Sequence, residues 1–288
     1  MPTIQASRAV LQPGPGPCPL RVICVVRAKR SFVVVAVTAL LPVAGVNALE
    51  LATPPAAPWS IELELQHVDT LANTVRKGEG YTGTRINVTQ YTGQPSNDGR
   101  LTAFRTVNGF FNDDQLRFVI APLRRYGTTT PGTRVLFDGL DFQQGSPATV
   151  VYKFNTYRVT YIARVLEGLR IDGWDFRLGG TVAFRDARNE VSQATNRRNF
   201  FNWGPVPLLY FSGIKNLGGR WRVVGDFDAF PAPGGGGLFD GALKLALDVS
   251  KHVEVNAGGR YQVGGATSRS YYNLLRDRAA VVGVNVHF

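Results

Sequence analysis

The feature that most constrains this 288-residue chain is an alternation of apolar and polar residues with a period of two. It is clear in Trp59–His67 (WSIELELQH) and returns in 242–248, 253–263 and 282–288. In the first of these segments the apolar set is Trp59, Ile61, Leu63 and Leu65. A period of two puts successive side chains on opposite faces of a strand, so each segment is predicted to be a strand with one apolar and one polar face. No stretch shows the repeat of about 3.6 residues that marks an amphipathic helix, so the sequence predicts an all-β protein.

The first fifty residues are predicted to be a targeting segment. Arg27, Lys29 and Arg30 precede the apolar run 32–41, and small or apolar residues lead up to Ala48. That order is typical of a cleaved signal peptide, and the run is shorter than the roughly 20 residues that a membrane anchor needs. We therefore predict a signal peptide over 1–48, a short periplasmic linker over 49–58 and a single domain over 59–288.

The positive charge of the chain lies partly in this leader. Lys and Arg total 32 against 21 Asp and Glu, a net charge of +11, and five of the basic residues precede position 49. The remainder therefore carries 32 − 5 = 27 basic and 21 acidic groups, a net charge of +6, which weakens any prediction of nucleic-acid binding. Both cysteines also lie in the leader, at Cys18 and Cys24, and the chain has three histidines, so no metal site or cofactor is predicted.

Alternation alone does not separate a membrane barrel from a water-soluble β-protein. The polar faces carry many charges, and aromatic residues such as Trp174 and Trp221 lie near segment ends, as in an interfacial girdle. Short turns, as at 250–252, are predicted to alternate with long polar loops over 188–203 and 266–278. Together these features favour a single antiparallel transmembrane β-barrel, which leaves no unpaired strand edge in lipid.

Ten strands are predicted, with eight or twelve as alternatives. Counted back from the end of the chain, they lie near 280–288, 253–264, 239–249, 220–230, 205–214, 171–186, 149–166, 115–124, 100–107 and 59–68. An even number leaves both termini on the periplasmic side. The extended pieces 83–90 and 134–142 are interpreted as extracellular additions. Two of the strands, 149–166 and 171–186, exceed the roughly 9–11 residues needed to cross a bilayer and should project beyond it.

The end of the chain, VVGVNVHF, resembles the β-signal by which bacterial outer-membrane proteins are recognised for insertion. The segments YKFNTYRVTY, VPLLYF, GDFDAFPAPGGG and FDGALKLAL, which begin at positions 152, 206, 225 and 239, resemble an uncharacterised family of small bacterial outer-membrane β-barrel proteins. The resemblance implies an outer-membrane location, outer-membrane lipid as surroundings, and assembly through the barrel-assembly machinery with Phe288 as the signal residue. It carries over no catalytic residue.

Charged residues on the predicted polar faces are the candidate binding residues of the lumen. They are Glu62, Glu64, Arg158, Arg177, Arg222, Asp226, Asp228, Lys244 and Arg260. Asp226 and Asp228 fall on one face of one strand, an arrangement that paired-carboxylate chemistry can use. The favoured interpretation is structural: in a barrel of about ten strands side chains fill much of the interior, and each charge there needs a partner.

Two further patterns bear on function. His67 and Asp69 lie near the mouth of the predicted barrel, where proteases of the omptin kind use an Asp–His pair, but parity places His67 on the lipid side with Ile61. No Gly-x-Ser-x-Gly elbow occurs, so no catalytic residue is predicted. Four predicted loop arginines, at 197, 198, 276 and 278, are either solvated or bind lipopolysaccharide phosphates.

These observations predict a non-enzymatic integral outer-membrane barrel of structural or narrow-channel type, handling a small solute or a lipid. Two alternatives stay open. One is an outer-membrane enzyme that hydrolyses lipid or peptide at the barrel rim, and the other is a soluble periplasmic β-barrel that binds an apolar ligand.

Overall fold

The computed structural model describes residues 58–111, 113–164, 172–232 and 236–288, which belong to one unit. The predicted signal peptide over 1–48 and all but the last residue of the predicted linker lie outside the described residues. Within these ranges no helix has the length and apolar character needed to span a bilayer.

Strands make up 77% of the described chain. Their bounds are β1 (Trp59–Lys77), β2 (Ile86–Asn87), β3 (Ser96–Val107), β4 (Asp114–Ala121), β5 (Arg124–Thr129), β6 (Val135–Phe137), β7 (Leu140–Phe142), β8 (Ala148–Ala163), β9 (Trp174–Gln193), β10 (Asn196–Gly218), β11 (Trp221–Ala232), β12 (Gly236–Asp248), β13 (Val253–Thr267) and β14 (Tyr271–His287). One turn of 3-10 helix (Glu79–Tyr81) and the short helix α1 (Thr89–Thr92) lie between β1 and β3.

Ten of these strands form a closed antiparallel barrel. Neighbours in the ring follow the order β1, β3, β4, β8, β9, β10, β11, β12, β13, β14, and β14 pairs with β1 from Ser60↔His287 to Lys77↔Tyr271. The predicted fold class and the count of ten are therefore confirmed. The two extended pieces left out of the ring are also outside it here: β2 adds to β1, and β6 with β7 forms a separate hairpin.

The prediction of long polar loops over 188–203 and 266–278 is wrong. Over 188–203 the chain continues as a hairpin in which β9 and β10 pair as far as Gln193↔Asn196, and β13 and β14 pair as far as Thr267↔Tyr272. The polar residues of these segments, such as Arg188 on β9, lie on strands whose outer face meets water. These residues are polar because water surrounds the wall at this height, and not because the strands have ended.

A belt of apolar side chains surrounds the outer face of the barrel. Its members include Leu63, Leu65, Leu101, Phe118, Ile120, Val159, Leu178, Val182, Leu209, Leu243, Leu245, Val282 and Val284, all exposed. Leu209, 72% exposed, shows how fully the belt faces outward. An exposed apolar surface of this extent, on a wall with no free edge in the ring, is suited to lipid acyl chains.

Strand β8 shows where the belt ends. Its outward side chains Tyr157 and Val159 are exposed, and the inward Arg158 between them is buried. Nearer the start of the strand the pattern is inverted, because the inward Tyr152 is buried and apolar whereas the outward Lys153 is charged. The strand therefore passes from lipid to water between these two levels.

The same inversion occurs on β9 and β14, which carry outward charges above the belt at Asp186, Arg188, Arg276 and Arg278. On β1 a bulge between Thr70 and Ala72 shifts the register at this height, so that Val75 turns inward. The inverted end lies opposite Trp59 and Phe288, whose backbones bond to each other (N···O 3.0 Å in both directions). Since barrels of this type keep their termini periplasmic, the inverted end is extracellular.

Candidate functional site

At the level of the belt the lumen is crossed by a network of ten charged side chains, called here the lumen network. Its members are Glu62, Glu64, Arg100, Arg117, Arg158, Asp226, Asp228, Asp240, Lys244 and Arg260. Five are basic and five are acidic, so the formal charges cancel. They come from seven of the ten barrel strands, because alternate residues of every strand point into the narrow interior.

Arg158 is central to one half of this network. Its Nη1 donates to Asp228 (2.8 Å), and its Nη2 lies 2.6 Å from a carboxylate oxygen of Asp240. Asp228 also accepts hydrogen bonds from Arg117 (2.5 Å) and from the Thr181 hydroxyl (2.8 Å). These side chains are fully buried, and Asp228 therefore bonds to partners from three different strands.

Arg260 connects the other half. Its Nε donates to Glu64 (3.0 Å), and its Nη1 donates to Asp240 (2.7 Å), which also accepts from Arg100 (2.8 Å). Lys244 donates to Glu62 at 2.5 Å and to Glu64 at 3.4 Å. Buried charges of this kind are retained when each has a partner, and here the partners lie across the lumen.

The paired carboxylates considered for acid–base chemistry belong to this network. Asp226 lies 3.6 Å from Arg117, and Asp228 is held by Arg117 and Arg158. A general base needs a free oxygen within reach of a substrate proton, whereas both oxygens of Asp228 already accept hydrogen bonds. The arrangement is that of structural ion pairs.

Seven of the nine candidate lumen residues fall in the network, and two lie elsewhere in the lumen. Arg177 is 3.6 Å from Asp175, and Arg222 bonds to Asp248 (2.7 Å) and to Glu254 near the periplasmic end. Sequence reasoning missed Arg100, Arg117 and Asp240. Parity could have found Asp240, since it lies four residues before Lys244 on the same strand.

Above the network the lumen is filled by an apolar core, called here the extracellular core. Its buried members are Val75, Ile86, Val88, Leu123, Val135, Phe137, Phe142, Val150, Tyr152, Phe154, Ala187, Val191 and Leu275. Ile86 and Val88 come from the segment around β2, and Phe137 and Phe142 from the β6–β7 hairpin. These segments therefore fold into the mouth of the barrel and pack against its wall.

A small cavity separates the two layers. Arg100 and Arg158 line it from the network, Leu123 and Phe154 from the core, and Asp277 from β14. It measures about 500 Å³ with its open mouth, but only about 30 Å³ can hold the centre of a water molecule. That space suits a few waters and no larger solute.

Asp277 faces this cavity above the apolar belt, between the outward residues Arg276 and Arg278. The side chain is buried, and its Oδ1 makes no hydrogen bond within the described part of the chain. Burial raises the pKa of Asp277 from 3.8 to about 6. The cause is the cost of placing a charged carboxylate in a site that offers it too few partners.

Next to this cavity, two strands of the wall are connected by an ion pair and not by backbone pairing with a strand between them. Pairing of β3 with β4 ends at Leu101↔Ile120, and β5 pairs with β8. Arg125 of β5 reaches Asp98 of β3 through two hydrogen bonds, at 2.7 and 2.5 Å. This fork-to-fork pair connects the two strands where β4 has ended.

A second and larger space lies on the extracellular end and is called here the outer cleft. About 300 Å³ of it can hold the centre of a water molecule, against about 30 Å³ in the first cavity. Its lining is Thr84, Arg85, Ile86, Asn87, Gln90, Tyr91, Thr129, Thr130, Pro131, Gly132, Thr133 and Val135. Arg85 is the one charged member of this lining, and its guanidinium lies over the Tyr272 ring at 4.8 Å. Burial raises the pKa of Tyr91, so its hydroxyl stays protonated at neutral pH.

His67 and Asp69 lie on the outer face, as parity predicted for His67. The His67 ring bonds to Asn97 (Nδ1···Oδ1 2.9 Å), and Asp69 pairs with Arg278 at 2.6 Å. Each side chain therefore has a different partner, and the two do not form a pair. In the described ranges no group of three or more His, Cys, Asp or Glu side chains could hold a metal ion.

The arginines predicted in loops are on strands. Arg197 pairs with Glu190 (2.7 Å) at the tip of the β9–β10 hairpin, and Arg198 is exposed beside it. Arg276 is exposed on β14, just above the belt. Phe288 is exposed at the periplasmic end.

No protein-family model matches the chain, and no curated protein matches it by sequence. Among solved structures, the outer membrane protease OmpT from Escherichia coli is similar over 82% of this chain and 100% of its own, with a TM-score of 0.52 and 8% identity. Neisserial surface protein A is similar over 81% of this chain and 99% of its own, with a TM-score of 0.32 and 12% identity.

The likeness to the Escherichia coli protein is one of fold. It agrees with the closed antiparallel wall of this chain, its outward-facing apolar belt and the polar residues above that belt. This chain is an integral β-barrel of the bacterial outer membrane.

Proposed function

We propose that this protein is a closed, non-conducting outer-membrane barrel that serves as a rigid scaffold for its extracellular end. The observation that carries the proposal is the lumen network, in which ten charges from seven strands, nine of them buried and Asp226 partly buried, neutralise one another across the interior. In an open channel such charges would be hydrated, whereas here each forms an ion pair with an oppositely charged side chain.

The extracellular core supports the same function. It lies in series with the lumen network, so a solute would have to displace both an ion-paired layer and a packed apolar layer. The space between them holds a few waters. These two layers favour the structural alternative over the narrow channel.

Planar-bilayer recording of the purified protein tests this proposal. We expect no steady conductance after insertion, with insertion checked by the change in gel mobility on heating and by protease protection in vesicles. A stable single-channel current from folded protein would contradict the proposal and favour the narrow channel.

No specific observation favours the two alternative functions. His67, considered for a catalytic pair, faces outward and bonds to Asn97. A soluble barrel would have to expose Leu209, Leu243 and Val282 to water. Extraction from cells only by detergent is the expected behaviour, and release of folded protein by buffer alone would favour the soluble alternative.

We also propose lipopolysaccharide as a partner of the outer face. Arg276 and Arg278 lie outward, just above the belt, where the phosphates of the outer leaflet are located. Replacement of both by Gln should lower the amount of lipopolysaccharide that copurifies, measured by mass spectrometry. Equal amounts in both proteins would contradict this contact.

The role of Phe288 in assembly also stays a prediction, as does the resemblance to the uncharacterised family. The residue ends the strand that closes the barrel, and its backbone bonds to Trp59. We expect Phe288→Ala to lower the folded fraction in the outer membrane of cells, measured by the heat-dependent gel shift, while refolding in detergent is unchanged. Normal yield in cells would contradict this role.

A further inference from the structure

The outer cleft is placed where a ligand outside the cell can reach it. Its walls come from the segment 84–91, which includes β2 and part of α1, and from the segment 129–135 between β5 and β6. Both segments stand on the extracellular core, to which Ile86 and Val135 belong. The cleft therefore opens outward above the membrane.

The walls of the outer cleft are held in place before any ligand arrives. Thr84 and Leu136 share two hydrogen bonds, of 2.8 and 2.9 Å, which tie one wall to the other. α1 packs so closely on β5 that a Cβ added at Gly127 would lie 2.0 Å from the carbonyl oxygen of Tyr91. A preformed cleft loses little freedom when it binds.

The lining of the outer cleft offers hydrogen-bonding groups that are not used within the protein. The side chains of Gln90, Thr130 and Thr133 are exposed, and neither they nor the Thr129 hydroxyl bond to any residue in the described ranges. Asn87 uses its oxygen to accept from Thr89, which leaves its NH₂ group available. Thr hydroxyls and Asn or Gln amides can each donate and accept, as can the hydroxyls of a sugar.

The charge of the lining narrows the class of ligand. Arg85 is cationic, and none of the lining residues is acidic. A guanidinium matches a carboxylate in two parallel hydrogen bonds, and one such group balances one Arg. A phosphate ester, with a charge of about −1.5 to −2, would be left partly uncompensated.

From this lining we infer that the outer cleft binds a saccharide that ends in a sugar with one carboxylate. Arg85 pairs with the carboxylate, and the Thr, Asn and Gln side chains bond to the ring hydroxyls. The inference rests on the proposed function, because it gives the rigid extracellular end a ligand.

A glycan array tests the inference with the full chain in detergent micelles. The array presents matched pairs of acidic and neutral sugars: glucuronate with glucose, galacturonate with galactose, and sialylated with desialylated termini. We expect binding to at least one acidic sugar, with its neutral counterpart about tenfold weaker or worse, since a hydrogen bond to a charged group is lost. Absence of saturable binding to every glycan, or equal binding within each pair, would overturn the inference.

Variants separate the cleft from general surface charge. Arg85→Gln should abolish the preference for the acidic sugar, and Thr133→Val should weaken both members of the bound pair by a few-fold. Arg124→Gln removes the same charge from an exposed site outside the cleft and should bind like the unchanged protein. If Arg85→Gln kept its preference while still showing the heat-dependent gel shift of a folded barrel, Arg85 would not be the carboxylate partner and the inference would fall.

The result is independent of conductance. A silent barrel that binds no glycan leaves the proposed function in place and removes this inference alone. A conducting barrel that binds acidic glycans does the reverse.

Discussion

At the level of the apolar belt the inward side chains of β8 are Arg158 and Thr160, whereas further up the same strand they are Tyr152 and Phe154. The outward side chains change in the opposite sense, from Tyr157 and Val159 to Asn155 and Lys153. The two regions of the lumen therefore have interiors of opposite chemistry on one continuous wall.

This difference follows from the solvent outside the barrel. Within lipid, apolar side chains face outward, and the alternation of a strand leaves the polar ones inside, where they pair as ions. Above the lipid, water surrounds the wall, and the extracellular end buries its apolar side chains as a water-soluble protein does. The height at which the pattern inverts marks the outer surface of the membrane.

The largest expected loss of stability comes from a substitution that disrupts the lumen network. Arg158→Met should lower the free energy of unfolding by up to about 5 kcal/mol, because Asp228 and Asp240 both lose a buried partner. Urea unfolding of protein refolded in lipid vesicles measures the change. Arg177→Met, which removes a lumen charge outside the network, should cost about 1 kcal/mol or less, and similar losses in both variants would mean that the network has no special stability.

A smaller loss is expected in the apolar region. Phe142→Ala should cost about 3 kcal/mol, because the fully buried ring leaves a cavity in the extracellular core. The loss should appear as faster proteolysis of the β6–β7 hairpin while the heat-dependent gel shift is retained. Phe201→Ala, which removes an outward and exposed ring from the same end, should leave proteolysis unchanged. Loss of the whole barrel in Phe142→Ala would show that the two regions unfold as one.

The smallest expected effect on stability comes from Asp277, which lies at the boundary between the two regions. Its pKa of about 6 exceeds the ordinary value of 3.8, so the folded protein binds the extra proton between these values. The contribution of Asp277 to stability is therefore greatest below pH 4 and falls as the pH rises to about 6, by an amount on the order of 2 kcal/mol.

Asp277→Asn should remove this slope and be the more stable protein at pH 7, as measured by thermal unfolding from pH 4 to pH 7.5. Asp69→Asn changes an outward carboxylate at the same height, whose charge is the smallest of the causes that shift the Asp277 pKa, so this variant should keep most of the slope. An identical slope in all three proteins would mean that Asp277 does not titrate in this range.

The sequence predicts the wall better than it predicts the interior. All ten strands and the inward direction of residues such as Glu64 and Arg260 follow from a period of two, which is a local property of each strand. The pairing of Arg260 with Glu64 and Asp240 does not, because partners across the lumen depend on the stagger of strands that are distant in the chain.

The sequence does not reveal the exchange of apolar and polar faces above the belt, for a related reason. Val150, Tyr152 and Phe154 alternate as regularly as the belt residues do, and alternation does not state which face lies outside. For the same reason the polar side chains over 188–203 predict a loop, although they belong to a hairpin whose outer face meets water.

The pairing of β1 with β14 has a consequence for how the molecule is made. Ser60 meets His287 across this seam, so the contact that completes the wall joins residues 287 − 60 = 227 positions apart. Contacts of such long range are slow to form. Until β14 is in place, β1 lacks its second neighbour, and a chain that stops short of β14 would leave one edge of β1 unpaired.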